Sequence, residues 1–220
     1  MAYEQILAAT ELFAEAPDEV LATVAAAAVE RDLVRGDVLF DEGGTPSALY
    51  VVLSGRIAIA IGNELDHRES MVALMEAGDL FGELGMLDEG PRSASARALE
   101  PSRALEIPYS AVQGVFEAQP HLLWGVTRLL AKRLRAMDEA LADSVFLDVT
   151  GRTAKRLLEL ADGADDFVLP VTQEELAGMV GASRERVNKA ISNFIRLGWL
   201  EQHDRSYRIT QRDRLELRAR

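Results

Sequence analysis

Two groups of residues in the 220-residue chain have types and spacing that suit chemistry. In the first, Gly82 and Glu83 are followed, after a short loop, by Arg92 and Ser93. Gly82 lets the backbone approach a ligand closely, and a short helical turn after it directs backbone N–H groups at a phosphate. Arg92 supplies charge in a fork geometry, Ser93 adds a hydroxyl donor, and Glu83 accepts from a ribose hydroxyl. On the residues alone, a glycine turn with a surface ion pair between Glu83 and Arg92 is the open alternative.

The second group lies on two consecutive helices near the C-terminus. Thr172 stands three residues before Glu175, which predicts a capping box, and Gly181 ends that helix. Ser183 caps a second helix that runs to Leu197 with an apolar stripe on one face. The polar residues of its other face are Arg184, Glu185, Asn188 and Lys189. Because Arg and Lys bind guanine and carboxylates accept from cytosine in the major groove, the pattern predicts a DNA-binding helix-turn-helix.

The segment after these helices predicts a wing. Trp199 to Thr210 contains two short apolar stretches joined by a turn at residues 204–206. The alternative is an ordinary helical hairpin with a solvated charged face. Caps, turn, polar cluster and wing occur together, and that combination favours DNA binding.

Charge is distributed unevenly along the chain. The formal net charge of -12 by itself disfavours a partner as acidic as DNA. From residue 151 onward, however, 13 Lys and Arg residues stand against 11 Asp and Glu residues, whereas the first 150 residues hold 11 basic against 25 acidic residues. From Arg184 onward the ratio is 10 basic to 5 acidic residues. One end of the chain therefore has the charge needed to meet nucleic acid.

The first 120 residues combine helical and strand patterns. From Ile6 to Val29 the abundance of Ala, Leu and Glu predicts helix, with a second short helix beginning at Pro17 and Asp18. Residues 32–108 show short apolar alternations interrupted by glycines, which predicts a small β-barrel or roll. The clearest strands are Val38–Phe40, Leu49–Leu53, Ile57–Ile61, Met71–Met75 and Ala104–Ile107.

A long helix links the two parts of the chain. After Pro120 an uninterrupted stretch runs to about Val145, and its apolar residues Leu130, Leu134, Met137 and Leu141 are spaced 4, 3 and 4 apart. This spacing is typical of a coiled-coil seam and predicts dimerisation through residues 126–145. An amphipathic helix packed on its own domain is the alternative. Asp148 and Thr150 are candidate caps for a new helix over Gly151–Ala161, which places a domain boundary near residues 146–148.

Composition excludes several classes of site. The chain has no cysteine, which excludes disulfides, thiolate zinc sites and cysteine-ligated iron–sulfur clusters. His67, His121 and His203 lack ligand spacing, so we expect neither metal nor haem. No apolar run approaches the roughly 20 residues of a membrane span, and we expect a soluble, cytoplasmic protein. An allosteric enzyme is not expected either, because no Walker loop or Ser/His/Asp set is found outside the β-segment and the long helix.

Three stretches closely resemble the CRP/FNR family of bacterial transcription regulators, which includes the catabolite activator or cyclic AMP receptor protein. They are Phe146–Arg152, Thr172–Ala177 and Val180–Val187. The resemblance extends from about Leu12 to Arg220, and Gly181–Ala190 is most similar to the actinobacterial branch.

This resemblance implies an α+β fold in three segments. Residues 1–120 would form a jelly-roll-like β-roll that binds a cyclic nucleotide, residues 121–147 a central dimerisation helix and hinge, and residues 148–220 a winged helix-turn-helix. Ligand binding would shift the hinge and set the separation of the two recognition helices in a homodimer. Those helices would enter major grooves about 34 Å apart on a near-palindromic site in double-stranded DNA.

The run that begins at Phe81 resembles the family's phosphate-binding cassette, which implies that cyclic AMP is the allosteric ligand. The cassette residues are Gly82, Glu83, Leu84, Arg92 and Ser93. Where the family's long helix offers Thr followed by Ser or Asn to the adenine amino group, this chain has Met137 and Asp138. The Asp138 carboxylate accepts from an exocyclic amine, and Met137 fills the dimer seam. A regulator of the same fold that is ligand-independent or senses another effector is the alternative.

The resemblance also assigns contacts with DNA. Arg184, Glu185 and Lys189 would contact base edges, supplemented by Asn188, while Thr172 and Ser183 would contact the phosphate backbone. Lys189 stands where the enteric family member has Arg, which argues against bidentate recognition of guanine at that position. Family members recruit or block RNA polymerase, which makes that enzyme an expected partner.

Overall fold

The computed structural model describes residues 3–62 and 69–220, and His67 lies outside these ranges. The helices are α1 (Tyr3–Ala8), α2 (Asp18–Ala27), α3 (Leu84–Leu87), α4 (Tyr109–Ala118), α5 (Leu123–Phe146), α6 (Val149–Ala161), α7 (Gln173–Val180), α8 (Arg184–Arg196) and α9 (Arg212–Arg218). The strands are β1 (Val29–Leu33), β2 (Val38–Phe40), β3 (Ala48–Ser54), β4 (Ile57–Gly62), β5 (Glu69–Met75), β6 (Leu80–Phe81), β7 (Ser95–Ala98), β8 (Ser102–Pro108), β9 (Asp166–Val168), β10 (Leu200–His203) and β11 (Ser206–Ile209). The chain divides into two compact units, one ending at Arg135 and the other covering Ala136–Arg220.

The first unit contains the predicted β-roll, built from two four-stranded sheets. Their strand orders are β1-β8-β3-β6 and β2-β7-β4-β5, and the pairs are antiparallel. All five strands predicted from alternation are present. The shortest strand, β6, pairs Phe81 with Tyr50 and so brings the cassette to the edge of the first sheet.

Strand β3 has both of its faces buried, and the two faces serve different cores. Leu49 and Val51 pack with the helices of this unit, whereas Tyr50 and Val52 face the interior of the roll. This alternation follows from the two-residue period of a strand. The interior of the roll is therefore lined by aromatic and small apolar side chains, among them Tyr50, Phe81 and Ala96.

The helical prediction for Ile6 to Val29 is wrong in the middle, where α1 and α2 are separated, and at its end, where a strand begins. Helix α1 stops at Ala8, and the hydroxyl of Thr10 donates to the Leu7 carbonyl, a local bond that competes with helix continuation. Helix α2 ends at Ala27, and Val29 begins strand β1, which pairs with β8. Pairing across about 75 residues overrides the local helix preference of the alanines here.

The second unit is a helical core with a three-stranded sheet of order β10-β11-β9. Strands β10 and β11 with the turn at Asp204 confirm the wing, while β9 was not predicted because three residues carry little periodic signal. Trp199 stacks on Phe194 with ring centroids 5.9 Å apart, which fixes the wing to helix α8. The larger apolar residues with no exposed surface in this unit are Leu157, Leu176, Val187, Phe194, Leu200 and Leu215.

Candidate ligand pocket and nucleic-acid interface

Gly82 has the backbone geometry that a close approach requires. Its φ is +80°, and a Cβ at this position would lie 2.8 Å from Nη1 of Arg92. Both facts favour glycine, because L side chains rarely adopt a positive φ and no room is left beside the guanidinium. Helix α3 follows as the predicted short turn, with Leu84 at its first position.

Arg92 is buried within the roll, with only 5% of its surface exposed. Its Nη1 donates to the Gly82 carbonyl at 2.8 Å and to the Tyr109 hydroxyl at 3.1 Å, and its Nη2 donates to the Ala48 carbonyl at 2.7 Å. The guanidinium carbon lies 4.0 Å from the centroid of the Phe40 ring, a cation–π distance. Arg92 is thus held by main chain and aromatic rings from four separate segments.

Glu83 is fully buried, and its partner is Arg133 of helix α5. Arg133 Nη1 lies 2.5 Å from Glu83 Oε1, and Arg133 Nη2 donates to the Leu80 carbonyl at 2.8 Å. Burial raises the pKa of the Glu83 carboxyl, and the positive charge of Arg133 opposes that rise. The alternative of a surface ion pair between Glu83 and Arg92 is therefore wrong, since both side chains are buried and Glu83 pairs elsewhere.

Two buried polar atoms in this cluster have no hydrogen-bond partner among the described residues. They are Oε2 of Glu83 and Nε of Arg92. A buried polar group without a partner costs about 1–3 kcal/mol, so two such atoms in one cluster point to a ligand. A carboxylate oxygen accepts from a sugar hydroxyl, and a guanidinium N–H donates to a phosphate oxygen. The donor set fits the sugar-phosphate part of a nucleotide.

The other residues expected at the ligand are placed less closely. Ser93 is exposed, next to Arg92 in the segment that hydrogen-bonds through its main chain to Gly43 and Gly44. Met137 and Asp138 are exposed positions of α5 and belong to the second compact unit. Their roles toward a ligand stay predictions.

The first helix of the helix-turn-helix has both predicted caps. The Thr172 hydroxyl accepts from the Glu175 amide at 3.2 Å, and the Glu175 carboxylate accepts from the Thr172 amide at 2.6 Å. Gly181 ends the helix in the left-handed conformation, with φ +66° and ψ 44°. Ser183 then caps α8 by accepting from the Arg186 amide at 3.4 Å. The local signals that predicted this motif are therefore confirmed.

Helix α8 buries one stripe and exposes most of the predicted base-reading side chains. Arg184, Glu185 and Lys189 are exposed, as a groove-reading face requires. Asn188 differs, because it is half-buried and its Oδ1 is buried with no partner among the described residues. Asn188 therefore lies at the flank of the exposed face rather than at its centre.

A cleft of about 580 Å³ lies along the same helix, between α8 and the start of α6. We call it the basic cleft, because three of its lining side chains are positively charged. Its lining residues are Asp148, Val149, Thr150, Arg186, Lys189, Ala190, Ser192, Asn193 and Arg196. Lys189 belongs both to the predicted base readers and to this cleft. Positive charge beside a helix N-terminus suits a phosphate.

Sequence reasoning missed three residues of the cluster around Arg92 and Glu83. Arg133, Tyr109 and Phe40 each reach the cluster around Arg92 and Glu83 from a different element. The only local signal for Arg133 was its position one helical turn before Met137. Its partner Glu83 lies 50 residues away in the chain. No spacing rule connects residues so far apart.

Within the described ranges, no cluster of His, Asp or Glu side chains is arranged to hold a metal ion. No helix in the same ranges is long and apolar enough to cross a membrane.

Comparison with known proteins agrees with this geometry. Residues 30–119 match the model of the cyclic nucleotide-binding domain, and residues 151–219 match the Crp-like helix-turn-helix domain. The chain is 37% identical over 224 residues to the CRP-like cAMP-activated global transcriptional regulator of Mycobacterium tuberculosis, covering 99% of this chain and 100% of that protein. It is 33% identical over 160 residues to the cAMP-activated global transcriptional regulator CRP of Salmonella typhimurium, covering 70% and 76%. The structure of FixK2 from Bradyrhizobium japonicum shares the fold, with a TM-score of 0.77, 21% identity and coverage of 86% and 96%.

A cyclic-nucleotide-binding roll, a long helix and a winged helix-turn-helix in one chain define a DNA-binding transcription regulator with a nucleotide sensor. The chain belongs to the CRP/FNR family.

Proposed function

We propose that cyclic AMP is the ligand that controls this regulator, and that it acts as a dimer on near-palindromic DNA. The observation that carries the proposal is the buried pair of unpartnered atoms, Glu83 Oε2 and Arg92 Nε, inside a cyclic-nucleotide-binding roll. The Mycobacterium tuberculosis relative is described as cAMP-activated, which supports the choice among cyclic nucleotides.

The chain's own residues divide the work of ligand binding. Arg92 donates from Nε to a phosphate oxygen, and the exposed Ser93 hydroxyl beside it adds a second donor. Glu83 accepts a hydrogen bond from the ribose hydroxyl through Oε2, while Arg133 donates to Oε1. Gly82 lets the main chain approach the ligand closely, and Leu84 begins the short helix α3 that follows. Met137 and Asp138 are proposed to meet the base, with the Asp138 carboxylate accepting from the exocyclic amine.

An exposed apolar stripe along α5 supports dimerisation through residues 126–145. Leu134, Met137 and Leu141 have 60%, 68% and 64% of their surface exposed, although they follow coiled-coil spacing. A stripe of this length is costly to leave in water, and a second copy of the same helix covers it. The alternative, an amphipathic helix buried on its own domain, does not explain these exposures.

At the DNA, Arg184, Glu185 and Lys189 are proposed to read base edges, with Asn188 supplementing them from the flank. Thr172 and Ser183, at the starts of α7 and α8, would contact phosphates through the N-terminal ends of the two helices. RNA polymerase is the expected downstream partner, in keeping with the family.

Isothermal titration calorimetry with cyclic AMP and cyclic GMP tests the ligand. We expect saturable heat with cyclic AMP and loss of that heat in Arg92→Ala, with Arg97→Ala, a nearby half-buried arginine, as the matched control. No heat from a folded dimer, or binding unaffected by Arg92→Ala, would contradict the proposal.

Met137 and Asp138 favour one second candidate, a regulator of the same fold that works without a nucleotide or with another effector. Mobility-shift titration on a palindromic duplex with and without cyclic AMP separates the two. Equal DNA affinity in both titrations supports the second candidate.

A further inference from the structure

Asp148 places a negative charge in a cleft that is otherwise positive. Among the residues that line the basic cleft, Arg186, Lys189 and Arg196 are positively charged, and Asp148 is the only acidic one. An unmasked carboxylate here would repel a DNA phosphate at short range, where salt screens incompletely. A phosphate can therefore bind in the cleft only if position 148 carries an uncharged residue or if a nearby positive charge neutralises the Asp148 carboxylate.

Helix α6 explains why an acidic residue stands at this position. Asp148 is the N-cap of α6, and its Oδ1 accepts from the Gly151 amide at 2.8 Å. That hydrogen bond, with the charge of Arg218, holds the pKa of the Asp148 carboxyl below its ordinary value. The group is therefore ionised at neutral pH, and the cap keeps its full negative charge.

The C-terminal helix α9 brings a guanidinium to this carboxylate. Nη2 of Arg218 donates to both Oδ1 and Oδ2 of Asp148. The position of α9 is firm, because Leu215 is fully buried and the Arg218 carbonyl packs against Gly151. A Cβ on Gly151 would lie 3.0 Å from that carbonyl oxygen, so glycine permits the close approach.

We propose that Arg218 is an electrostatic positioning residue of the DNA interface: it neutralises the cap of α6 so that the basic cleft receives a DNA phosphate. The inference rests on the proposed DNA contacts and assigns a role to the C-terminal helix, which lies outside the helix-turn-helix and its wing. The interaction is with the phosphate backbone, so it affects affinity for all DNA sequences alike.

The test compares charge variants of the full chain by fluorescence anisotropy on a palindromic duplex, with saturating cyclic AMP and several salt concentrations. Arg218→Met keeps the aliphatic stem and unmasks Asp148, and we expect about fivefold weaker binding near 50 mM salt, shrinking as salt rises. Asp148→Asn keeps an N-cap side chain and removes the charge, and we expect binding at least as tight as wild type.

The double variant Asp148→Asn/Arg218→Met separates charge masking from a purely structural role. With no charge left to unmask, we expect affinity within about twofold of wild type, even if thermal unfolding shows lower stability. Arg220→Met, an exposed arginine two residues away, is the control with the same net charge change as Arg218→Met. A double variant as weak as Arg218→Met, or an equal loss in Arg220→Met, would overturn the inference. Failure of the wild type to bind the duplex would instead refute the proposed function.

Discussion

At the scale of single residues, the pocket depends on a carboxylate in an environment that disfavours its charge. Glu83 is fully buried, and Arg133 supplies the positive charge that compensates it. Such a pair contributes little net stability when intact, but removal of one partner leaves an uncompensated buried charge. Loss of Arg133 should therefore lower the free energy of unfolding even in the absence of ligand.

We predict that Arg133→Ala lowers the free energy of unfolding by about 2 kcal/mol at pH 8. The value is below the range for fully buried pairs because the Arg133 side chain is 30% exposed. Urea unfolding without nucleotide measures it. Lys132→Ala, which removes an exposed pair with Glu11, is the control and should change stability by less than about 1 kcal/mol. Equal effects of the two variants would contradict the prediction.

The loss in Arg133→Ala should also depend on pH. Burial already raises the pKa of Glu83, and without Arg133 that pKa rises further. A carboxyl whose folded pKa is raised contributes stability below its unfolded pKa and loses it as pH rises through the folded pKa. We therefore expect the stability difference from wild type to shrink between pH 8 and pH 4.5 in the same urea experiments. A difference that grows on acidification would show that Glu83 is not the group responsible.

At the scale of elements, caps determine where the DNA-binding helices begin. The capping box of Thr172 and Glu175 satisfies two amides at the start of α7, and Ser183 does the same for one amide of α8. These bonds link sequence spacing directly to local structure, because the partners are three residues apart.

Thr172→Ala should cost about 1 kcal/mol of stability, the usual value of a lost N-cap. Thermal unfolding of the full chain is the measurement. Ser192→Ala, an exposed position inside α8, is the matched control and should change stability by no more than about 0.5 kcal/mol. If Thr172→Ala is as mild as this control, the capping box does not stabilise the helix in solution.

The exposed stripe of α5 leads to a prediction about assembly. Leu141 is exposed in the single chain, and the proposed dimer would bury it in the seam. Leu141→Lys should therefore convert that dimer to a monomer with a mass of about half, because the lysine charge would be buried there without a partner. Size-exclusion chromatography with light scattering reports the mass, and circular dichroism should show that helix content is retained. Glu139→Lys lies off the seam, and this control should stay dimeric. A dimeric Leu141→Lys variant would place the interface elsewhere.

At the scale of the whole molecule, the two ends of the chain carry opposite charge. The first 150 residues hold 25 acidic against 11 basic residues, and from Arg184 onward basic residues outnumber acidic ones by 10 to 5. An acidic sensor is repelled by DNA and a basic reader is attracted, so the uneven charge orients the protein on its target. Communication between the two ends is a coupling free energy between ligand and DNA binding.

That coupling must be reciprocal. If cyclic AMP tightens DNA binding by a given factor, the DNA duplex must tighten cyclic AMP binding by the same factor, and we expect about 5- to 150-fold. Anisotropy with and without nucleotide gives one factor, and calorimetry with and without duplex gives the other. In Arg92→Ala we expect the weak nucleotide-free DNA binding to persist and the enhancement to disappear. Enhancement that survives in Arg92→Ala would locate the effector elsewhere.

Much of this protein could be predicted from short-range patterns. The strand alternation, the caps at Thr172 and Ser183, the glycine ends and the seam on α5 all depend on residues within one or two turns or along one strand. Spacing alone therefore predicts them. The structure agrees on the strands, the caps, the glycine ends and the long helix α5, while the pairing of two copies through its seam stays a prediction. The helix predicted up to Val29 was wrong at its end, because Val29 begins strand β1, which forms by pairing with β8 far along the chain.

Two ion pairs could not be predicted in this way: the pair in the candidate ligand site and the pair that neutralises Asp148 beside the basic cleft. Glu83 meets Arg133 across 50 residues, and Arg218 meets Asp148 across 70. Glu83 is buried, so its charge has to be compensated inside the protein. Close packing at Gly151 brings the C-terminal helix α9 to Asp148, the N-cap of α6. Such contacts depend on how distant segments pack in three dimensions, and local residue spacing carries no information about that packing.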